Sequence, residues 1–285
     1  MPKTAERDWS AWLFLAPALV LLGLFVVWPM AYLVGLSFTD GSLRDPLFVG
    51  TANYERLFTS ESFRQVLFNT ALFTAGSVIP SVGLALLAAV VLSRTVPLRG
   101  LLRSAYFLPT IISLVAAGVS FRWLFHPQGW VNALTSLAGI APISWLSSPF
   151  WAMPVLILVA TWKQIGFNLV IFIAGLGAVP TSRYEAAELD GANAFQQFWH
   201  ITLPGIRPTL IFALITTVIF TFRSFEPVFV MTGGGPLGTT DILVYYVWEQ
   251  AFGLFSFGIS AAAATVLLVG VLVVTALQLW VAGGE

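Results

Sequence analysis

The residues able to do chemistry are few and unevenly placed. The 285-residue chain contains no cysteine and two histidines. Disulfides, zinc–thiolate sites and iron–sulfur clusters are therefore excluded. His126 and His200 lie far apart in the sequence and form no metal-ligand pair, so no metal site is expected. No serine–histidine grouping and no aspartate pair within an apolar stretch supports catalysis, and the chain reads as a non-enzyme. Gly233 to Gly238 fits G-x-x-x-x-G, but a phosphate-binding loop then requires Lys followed by Ser or Thr. Thr239 and Thr240 follow instead, so no nucleotide site is expected on this chain.

Two charged groups remain. Arg183, Glu185, Glu188 and Asp190 crowd into one short stretch. Lys163, Arg223 and Glu226 sit inside apolar stretches, where each charge costs about 2.5–3.5 kcal/mol and needs a partner or water. Arg223 and Glu226 are three apart, so they are expected to share a helix face and pair. Lys163 belongs to a polar group with Trp162, Gln164 and Asn168. Tryptophan stacks on sugar faces, and the two amides hydrogen-bond hydroxyls. Asn69, Thr70 and Tyr245 offer the same chemistry in other apolar stretches. A substrate path would draw on Asn69, Thr70, Trp162, Gln164, Asn168, Arg223, Glu226 and Tyr245. Polar glue between helices is the competing role for each. Arg122 and His126 flank Trp123-Leu124-Phe125 and read as interfacial anchors, with attraction of an anionic substrate as the alternative.

These residues need elements that suit a bilayer. The chain is 58% hydrophobic and 9% charged, whereas soluble domains carry about 25% charged residues. Thirteen Lys and Arg balance thirteen Asp and Glu. With no basic excess, nucleic acid is not an expected partner. Disorder would need low hydrophobicity and high charge. Charge-poor stretches at about 12–38, 65–93, 105–125, 151–177, 208–230 and 257–281 are long enough to cross a membrane as helices. The first exceeds the 7–15-residue core of a secretory peptide and reads as a retained anchor. Lys3, Arg7, Arg94, Arg99, Arg103, Arg183 and Arg207 fall on one side, outnumbering Arg44, Arg56, Arg64 and Arg122 on the other. The positive-inside rule then places both termini in the cytoplasm. The outer loop from His126 to Pro149 is expected at the interface, anchored by Trp130, Trp145 and Trp151. The fold class is an all-α integral membrane protein, with residues 1–285 as one domain of six transmembrane helices.

The loop at 180–208 differs from the others. Pro180-Thr181-Ser182 offers a helix start, with an N-cap oxygen before an acidic first turn. Glu185 to Leu189 has good helix propensity. Gly191 permits a bend. Ala192 to Ile201 reads as a second short helix, bearing Phe195, Phe198 and Trp199, which Pro204 stops. The expectation is a helix–bend–helix outside the bilayer.

Glu185-Ala186-Ala187, Gly191, Ile201, Leu203 and Pro204 match the motif EAA-x3-G-x9-I-x-LP at seven positions. This resembles the membrane subunits of bacterial ATP-binding-cassette importers. Tyr184 to Ala192, Ala174-Gly175-Leu176 before Pro180, and Met231-Thr232-Gly233-Gly234-Gly235-Pro236 resemble the carbohydrate branch, of maltose and glycerol-phosphate type. The resemblance implies a type I importer permease (MetI-like) fold in the bacterial cytoplasmic (inner) membrane. It implies a multi-pass permease for a sugar or related polyol. It also implies partners: a second permease subunit that is a related but different chain, two ATPase subunits carrying ATP and Mg, and an extracellular solute-binding protein. The loop would be the coupling helix that docks on the ATPase. Glu185 would pair with a basic ATPase side chain, Ala186 and Ala187 would allow close approach, and Asp190 and Gly191 would form the bend. Ile201, Leu203 and Pro204 would complete the unit. The family also implies a basic cytoplasmic tail, which Val281 to Glu285 lacks. An ion-gradient-driven secondary transporter is the alternative, and it leaves the spacing of the loop unexplained.

Overall fold

The computed structural model describes residues 9–42, 44–93 and 99–283. Lys3, Arg7 and Arg94, used above to orient the chain, lie outside these residues, as does the end of the tail. Two compact units are distinguished: residues 1–60 with 247–266, and residues 61–246 with 267–285.

In the first unit, α1 (Trp9–Leu22) and α2 (Trp28–Leu36) are joined by a π-helical turn at Gly23–Val27. The widened turn ends two residues before Pro29. A proline removes one backbone donor and presses on the carbonyl four residues earlier. That carbonyl belongs to Phe25, inside the turn, where the wider geometry accommodates it. After α2 comes a short loop and then α3 (Ala52–Thr59). Asn53 in α3 is buried and donates Nδ2–H bonds to the carbonyls of Ser37 (2.9 Å) and Thr39 (2.7 Å).

The second unit is built around α4 (Glu61–Ser93), a 33-residue helix roughly 50 Å long at 1.5 Å per residue. Its buried stripe runs Phe63, Val66, Thr70, Phe73, Ser77, Ser81, Ala85, Ala89 and Leu92, at steps of three and four. The small residues in the second half let a neighbour pack closely without a hydrophobic driving force from lipid. That neighbour is α8 (Ala152–Gly177), reached through α5 (Arg99–Ile111), α6 (Leu114–Leu124) and the short α7 (Trp130–Leu137). The chain continues through α9 (Thr181–Leu189), α10 (Ala194–Gln197), a π-helical turn at Phe198–Thr202, and α11 (Leu203–Gly205). It then forms α12 (Arg207–Phe222), α13 (Glu226–Met231) and the start of α14 (Leu243–Trp248), while the first part of α15 (Phe257–Gly283) belongs to the first unit and the rest, from residue 267, to the second.

Among the described residues, four helices are long and apolar enough to cross a membrane: Trp12–Leu36, Glu61–Ser93, Ala152–Gly177 and Phe257–Val281. The count reaches six if two bent pairs are each one span. These are Gly100–Ile111 with Leu114–Leu124, bent by 98°, and Ala194–Gly205 with Arg207–Phe222, bent by 69°.

The fifth apolar stretch departs from a continuous helix over 208–230. Helix α12 stops at Phe222 and α13 starts at Glu226. Pro227 explains the break, because its ring would press on the carbonyl of Arg223 four residues earlier. Arg223 and Glu226 therefore do not share a helix face. Pro204 also differs from expectation. It follows the π-helical turn and lies within α11, so the helical path runs on to Gly205 and turns at Ile206. The carbonyl it would disturb belongs to His200, inside the widened turn, as at Pro29.

Candidate functional site

The loop between α8 and α12 is built by local signals. Pro180 is the N-cap of α9, extended at φ −61° and ψ 129°, with no side-chain cap. The expected N-cap oxygen before an acidic first turn is absent, since a residue with fixed φ turns the chain directly into the helix. At the other end Asp190 is the C-cap and Gly191 adopts φ +78°. The Ala192 N–H donates to the Ala187 carbonyl (2.8 Å) and the Gly191 N–H to the Glu188 carbonyl (3.0 Å). This pair of bonds is a Schellman motif. It explains part of the motif spacing: the second alanine supplies the carbonyl and the glycine four positions later supplies the left-handed turn. Asn193, not Ala192, opens the next helix through a capping box. Its Oδ1 accepts from the Gln196 N–H (2.9 Å), and the Gln196 Oε1 accepts from the Asn193 N–H (2.8 Å).

The loop has two faces. Glu185, Ala186, Glu188, Asp190, Gly191 and Pro204 are exposed, with Leu189 90% and Phe195 72% exposed. Tyr184, Phe198, Ile201 and Leu203 instead pack against the core formed by Ala85, Ala89, Leu92, Phe172, Val179 and Ile206. The Tyr184 and Thr202 hydroxyls meet at 3.0 Å and brace the two arms. Ala187 is half-buried between these faces.

A second site lies along α8. A cavity of about 280 Å³ is lined by Lys163 and Gln164, by Thr110 and Leu114 beside the α5–α6 break, and by Arg223, Ser224 and Glu226 at the α12–α13 break. Lys163 Nζ donates to the carbonyls of Pro109 (2.8 Å), Thr110 (3.1 Å) and Ile112. These belong to the carbonyls a helix end leaves without intrahelical partners, so Lys163 caps the broken third stretch. Gly166, three residues on, admits α5 closely: a Cβ there would lie 2.2 Å from the Tyr106 carbonyl oxygen. Below the cavity, Gln164 Nε2 donates to Thr221 Oγ1 (3.0 Å) and Thr217 Oγ1 donates to Asn168 Oδ1 (3.0 Å). Among the described residues, the buried Gln164 Oε1 and Asn168 Nδ2 have no hydrogen-bond partner.

Lys163, Gln164, Arg223 and Glu226 are thus brought together, with Asn168 one turn below. The other candidates lie elsewhere. Trp162 lines a separate cavity of about 270 Å³ with Tyr106 and Pro109. Asn69 Nδ2 donates to the carbonyls of Gly238 (2.8 Å) and Asp241 (2.9 Å), and Thr70 Oγ1 accepts from the Leu243 N–H (2.8 Å). Tyr245 lies beneath Gly234, where a Cβ would sit 2.8 Å from its ring. These three hold the glycine-rich segment in place. Thr217 and Thr221 were missed by the sequence reading, although their spacing of four matches that of Gln164 and Asn168. Asn132 was also missed. It is buried, and its amide ties Pro127, Ile143 and Trp145 of the α6–α8 connection together. The available signal was an amide in a loop otherwise made of Gly, Pro, Ser and apolar residues.

Residues 70–283 match the family described as binding-protein-dependent transport system inner membrane component. The chain is 36% identical to the sulfoquinovosyl glycerol transport system permease protein SmoG of Agrobacterium fabrum, across 95% of this chain and 92% of that protein. It is 34% identical to the lactose transport system permease protein LacF of Rhizobium radiobacter, across 96% and 94% respectively. Identity is also 34% to the sn-glycerol-3-phosphate transport system permease protein UgpA of Agrobacterium fabrum, across 94% and 92%. A solved bacterial ABC transporter that imports the acidic polysaccharide alginate superposes with a TM-score of 0.84 at 25% identity, covering 95% of this chain and 94% of that one. A solved bacterial alginate ABC transporter in complex with an alginate pentasaccharide-bound periplasmic protein gives 0.83 at 26% identity, covering 95% of this chain and 93% of that one. The helical architecture, the two-faced loop and these matches together make the chain a member of the binding-protein-dependent transport system inner membrane component family, a permease of ABC-importer type.

Proposed function

We propose that this permease imports a sugar or related polyol, and that exposed α9 is the surface through which separate ATPase subunits drive it. The carrying observation is the division of the loop. Glu185, Leu189 and Phe195 face outward while Ile201, Leu203 and Ile206 are seated in the core. An exposed large apolar side chain beside carboxylates suits a protein groove better than water. The anchored face makes any displacement of α9 a displacement of the helices beneath it, which is a rigid-body transition. ATP and Mg would then reside on the ATPases, and the loop would face the cytoplasm. A second, related permease chain and an extracellular solute-binding protein complete the assembly. The spans are those of the six apolar stretches, with the third and fifth broken.

The cavity at Lys163, Gln164, Arg223, Ser224 and Glu226 is the candidate substrate path. Gln164 Oε1 and Asn168 Nδ2 retain hydrogen-bonding capacity beside it, one acceptor and one donor. Hydroxyl groups of a sugar both donate and accept, so they can bond the Gln164 amide at the cavity wall once the helices part to expose it. Relatives are named for transport of lactose, a neutral sugar, and of glycerol 3-phosphate, an anion, consistent with a polar path that is not committed to one charge.

The test is uptake in vesicles holding the assembled importer. With the ion gradients collapsed and ATP supplied, uptake persists. Glu185→Lys and Leu189→Asp should each lower ATPase co-purification and uptake together while leaving the permease inserted. Normal uptake by both variants would falsify the docking role.

A further inference from the structure

A third cavity, of about 460 Å³, lies at the other end of α8 from the coupling loop. Its size falls within the range of about 300–1,000 Å³ usual for small-ligand sites. Residues 122–127 and 144–147 form one wall, and Met231 to Pro236 the other. Each wall starts at a helix end, Arg122 in the last turn of α6 and Met231 at the end of α13, and continues as irregular chain that is held in place. Asn132 Nδ2 donates to the Pro127 carbonyl (3.1 Å) and the Ile143 carbonyl (2.8 Å), and its Oδ1 accepts from Ile143 N–H (3.0 Å) and Trp145 Nε1–H (2.9 Å). Across the cavity, the Thr240 hydroxyl bonds the Gly235 carbonyl (2.5 Å) and the Thr232 hydroxyl (2.9 Å). Asn69 secures the residues that follow, as described above. Two buried asparagines thus fix two loops facing one cavity, which is pre-organisation of the kind that favours binding.

The charge of this cavity has one sign. Among the described residues lining it, the ionisable ones are Arg122 and His126. Arg122 gives a single bond, from Nη1 to the Val230 carbonyl at 3.4 Å, out of the five N–H donors of a guanidinium. His126 Nδ1 accepts from the Gln128 N–H (3.4 Å), which leaves Nε2 to carry the proton of the neutral ring. Ser144, Ser147 and Thr232 add hydroxyls. A fork of cationic donors matches a carboxylate, sulfonate or phosphate, and the surrounding hydroxyls match sugar oxygens.

We propose that this cavity is an entry subsite that takes the acidic group of an anionic carbohydrate, with Arg122 as its principal ligand. The proposal rests on the transport reading above, which places this end of α8 at the outer face, where cargo arrives. It adds a substrate class: a sugar or polyol bearing a carboxylate, sulfonate or phosphate.

The test is calorimetric titration of the assembled importer in nanodiscs with glucose 6-phosphate, glucuronate and glucose. Both acids should bind more tightly than glucose, and raised salt should erode the difference. Arg122→Gln should cost the acids about tenfold or more in affinity and leave glucose unchanged, with Arg122→Lys falling between. His126→Gln should lower affinity for the acids by a smaller factor. Co-purification of the partner subunits confirms that the Arg122 and His126 variants assemble. Acids that bind no better than glucose, or an Arg122→Gln loss equal for all three sugars, overturn the proposal. It is also overturned if Arg122→Gln weakens docking of the solute-binding protein while acid binding is unaffected, because the occupant is then an acidic side chain of that protein. The Glu185→Lys permease, titrated in parallel in nanodiscs whether or not its ATPases remain bound, should retain acid binding while losing uptake. Retained uptake in that variant counts against the docking role alone, and lost acid preference in the wild type counts against the subsite alone.

Discussion

A glycine can be required for its backbone or for its missing side chain, and Gly191 and Gly234 separate the two. Both have positive φ, +78° and +76°. A Cβ at Gly191 would meet nothing within 4 Å, whereas at Gly234 it would lie 2.8 Å from the Tyr245 ring. At Gly191 only the left-handed conformation is at stake, which costs a non-glycine residue about 1–2 kcal/mol, and asparagine least. Gly191→Asn should therefore shift the thermal unfolding of the assembled complex little, and Gly191→Val should lower stability by about 1–2 kcal/mol. Equal melting temperatures for the two variants would show that the Schellman turn is not what the position demands. At Gly234, alanine already adds a steric clash, so Gly234→Ala should be worse than Gly191→Ala in the same melt. The contrast matters because Gly191 belongs to the exposed loop and Gly234 to the segment that walls the cavity beside Arg122.

Helix breaks are the features that position both cavities, and they were only partly legible in sequence. Pro227 accounts for the α12–α13 break by local chemistry, a signal present in the sequence that the span reading did not use. The apolar run over 208–230 alone suggests one continuous helix with Arg223 and Glu226 on one face. The α5–α6 break lacks such a local marker at Ile112 and Ser113. Its carbonyls are satisfied by Lys163, more than fifty residues away, so no local window contains the cause. The loop at 180–208 was more legible. Its glycine and its spacing act within a few residues, and only the caps at Pro180 and Asn193 and the role of Pro204 were placed wrongly. Close packing behaves like the long-range cap. Gly166→Leu should drive α5 from α8, because even a Cβ meets the Tyr106 carbonyl at 2.2 Å. A loss of roughly 1–3 kcal/mol is expected from such overpacking, read as a lower melting temperature than for Gly177→Leu, where nothing lies within 4 Å. In the α6–α8 connection, Asn132→Leu strands the Ile143 carbonyl and the N–H groups of Ile143 and Trp145, at about 1–3 kcal/mol for each buried group left unpaired. Hydrogen exchange should then accelerate across residues 127–146 while α8 stays protected. Uniform acceleration through both regions would show that Asn132 serves the whole unit instead of this loop.

At the scale of the molecule, the question is how a loop at one end of α8 reaches a cavity along its length. Gly177, where α8 ends, is thirteen residues from Gln164, or about 20 Å of helix. The loop leaves α8 and enters α12, so these are the helices on which any force at α9 acts first. They are cross-bonded twice, by Gln164 with Thr221 and Asn168 with Thr217, one turn apart on each helix. The pair should therefore move as one body and carry Lys163, Gln164 and Arg223 with it. Interhelical hydrogen bonds of this kind average only about 0.6 kcal/mol in membrane proteins. Removing both should leave the fold intact while loosening the link. Valine has nearly the shape of threonine, so Thr217→Val with Thr221→Val deletes the hydroxyls with little change in volume. The double variant should melt within about 1–2 kcal/mol of the parent and retain ATPase co-purification, yet import less substrate per ATP hydrolysed. Each single variant should show part of the loss, since one cross-bond then remains. An unchanged transport ratio in the double variant would mean that α8 and α12 are held together by packing alone. In that case the work of transmission belongs to the core around Phe172, Ile206 and Ala213, where the loop is anchored.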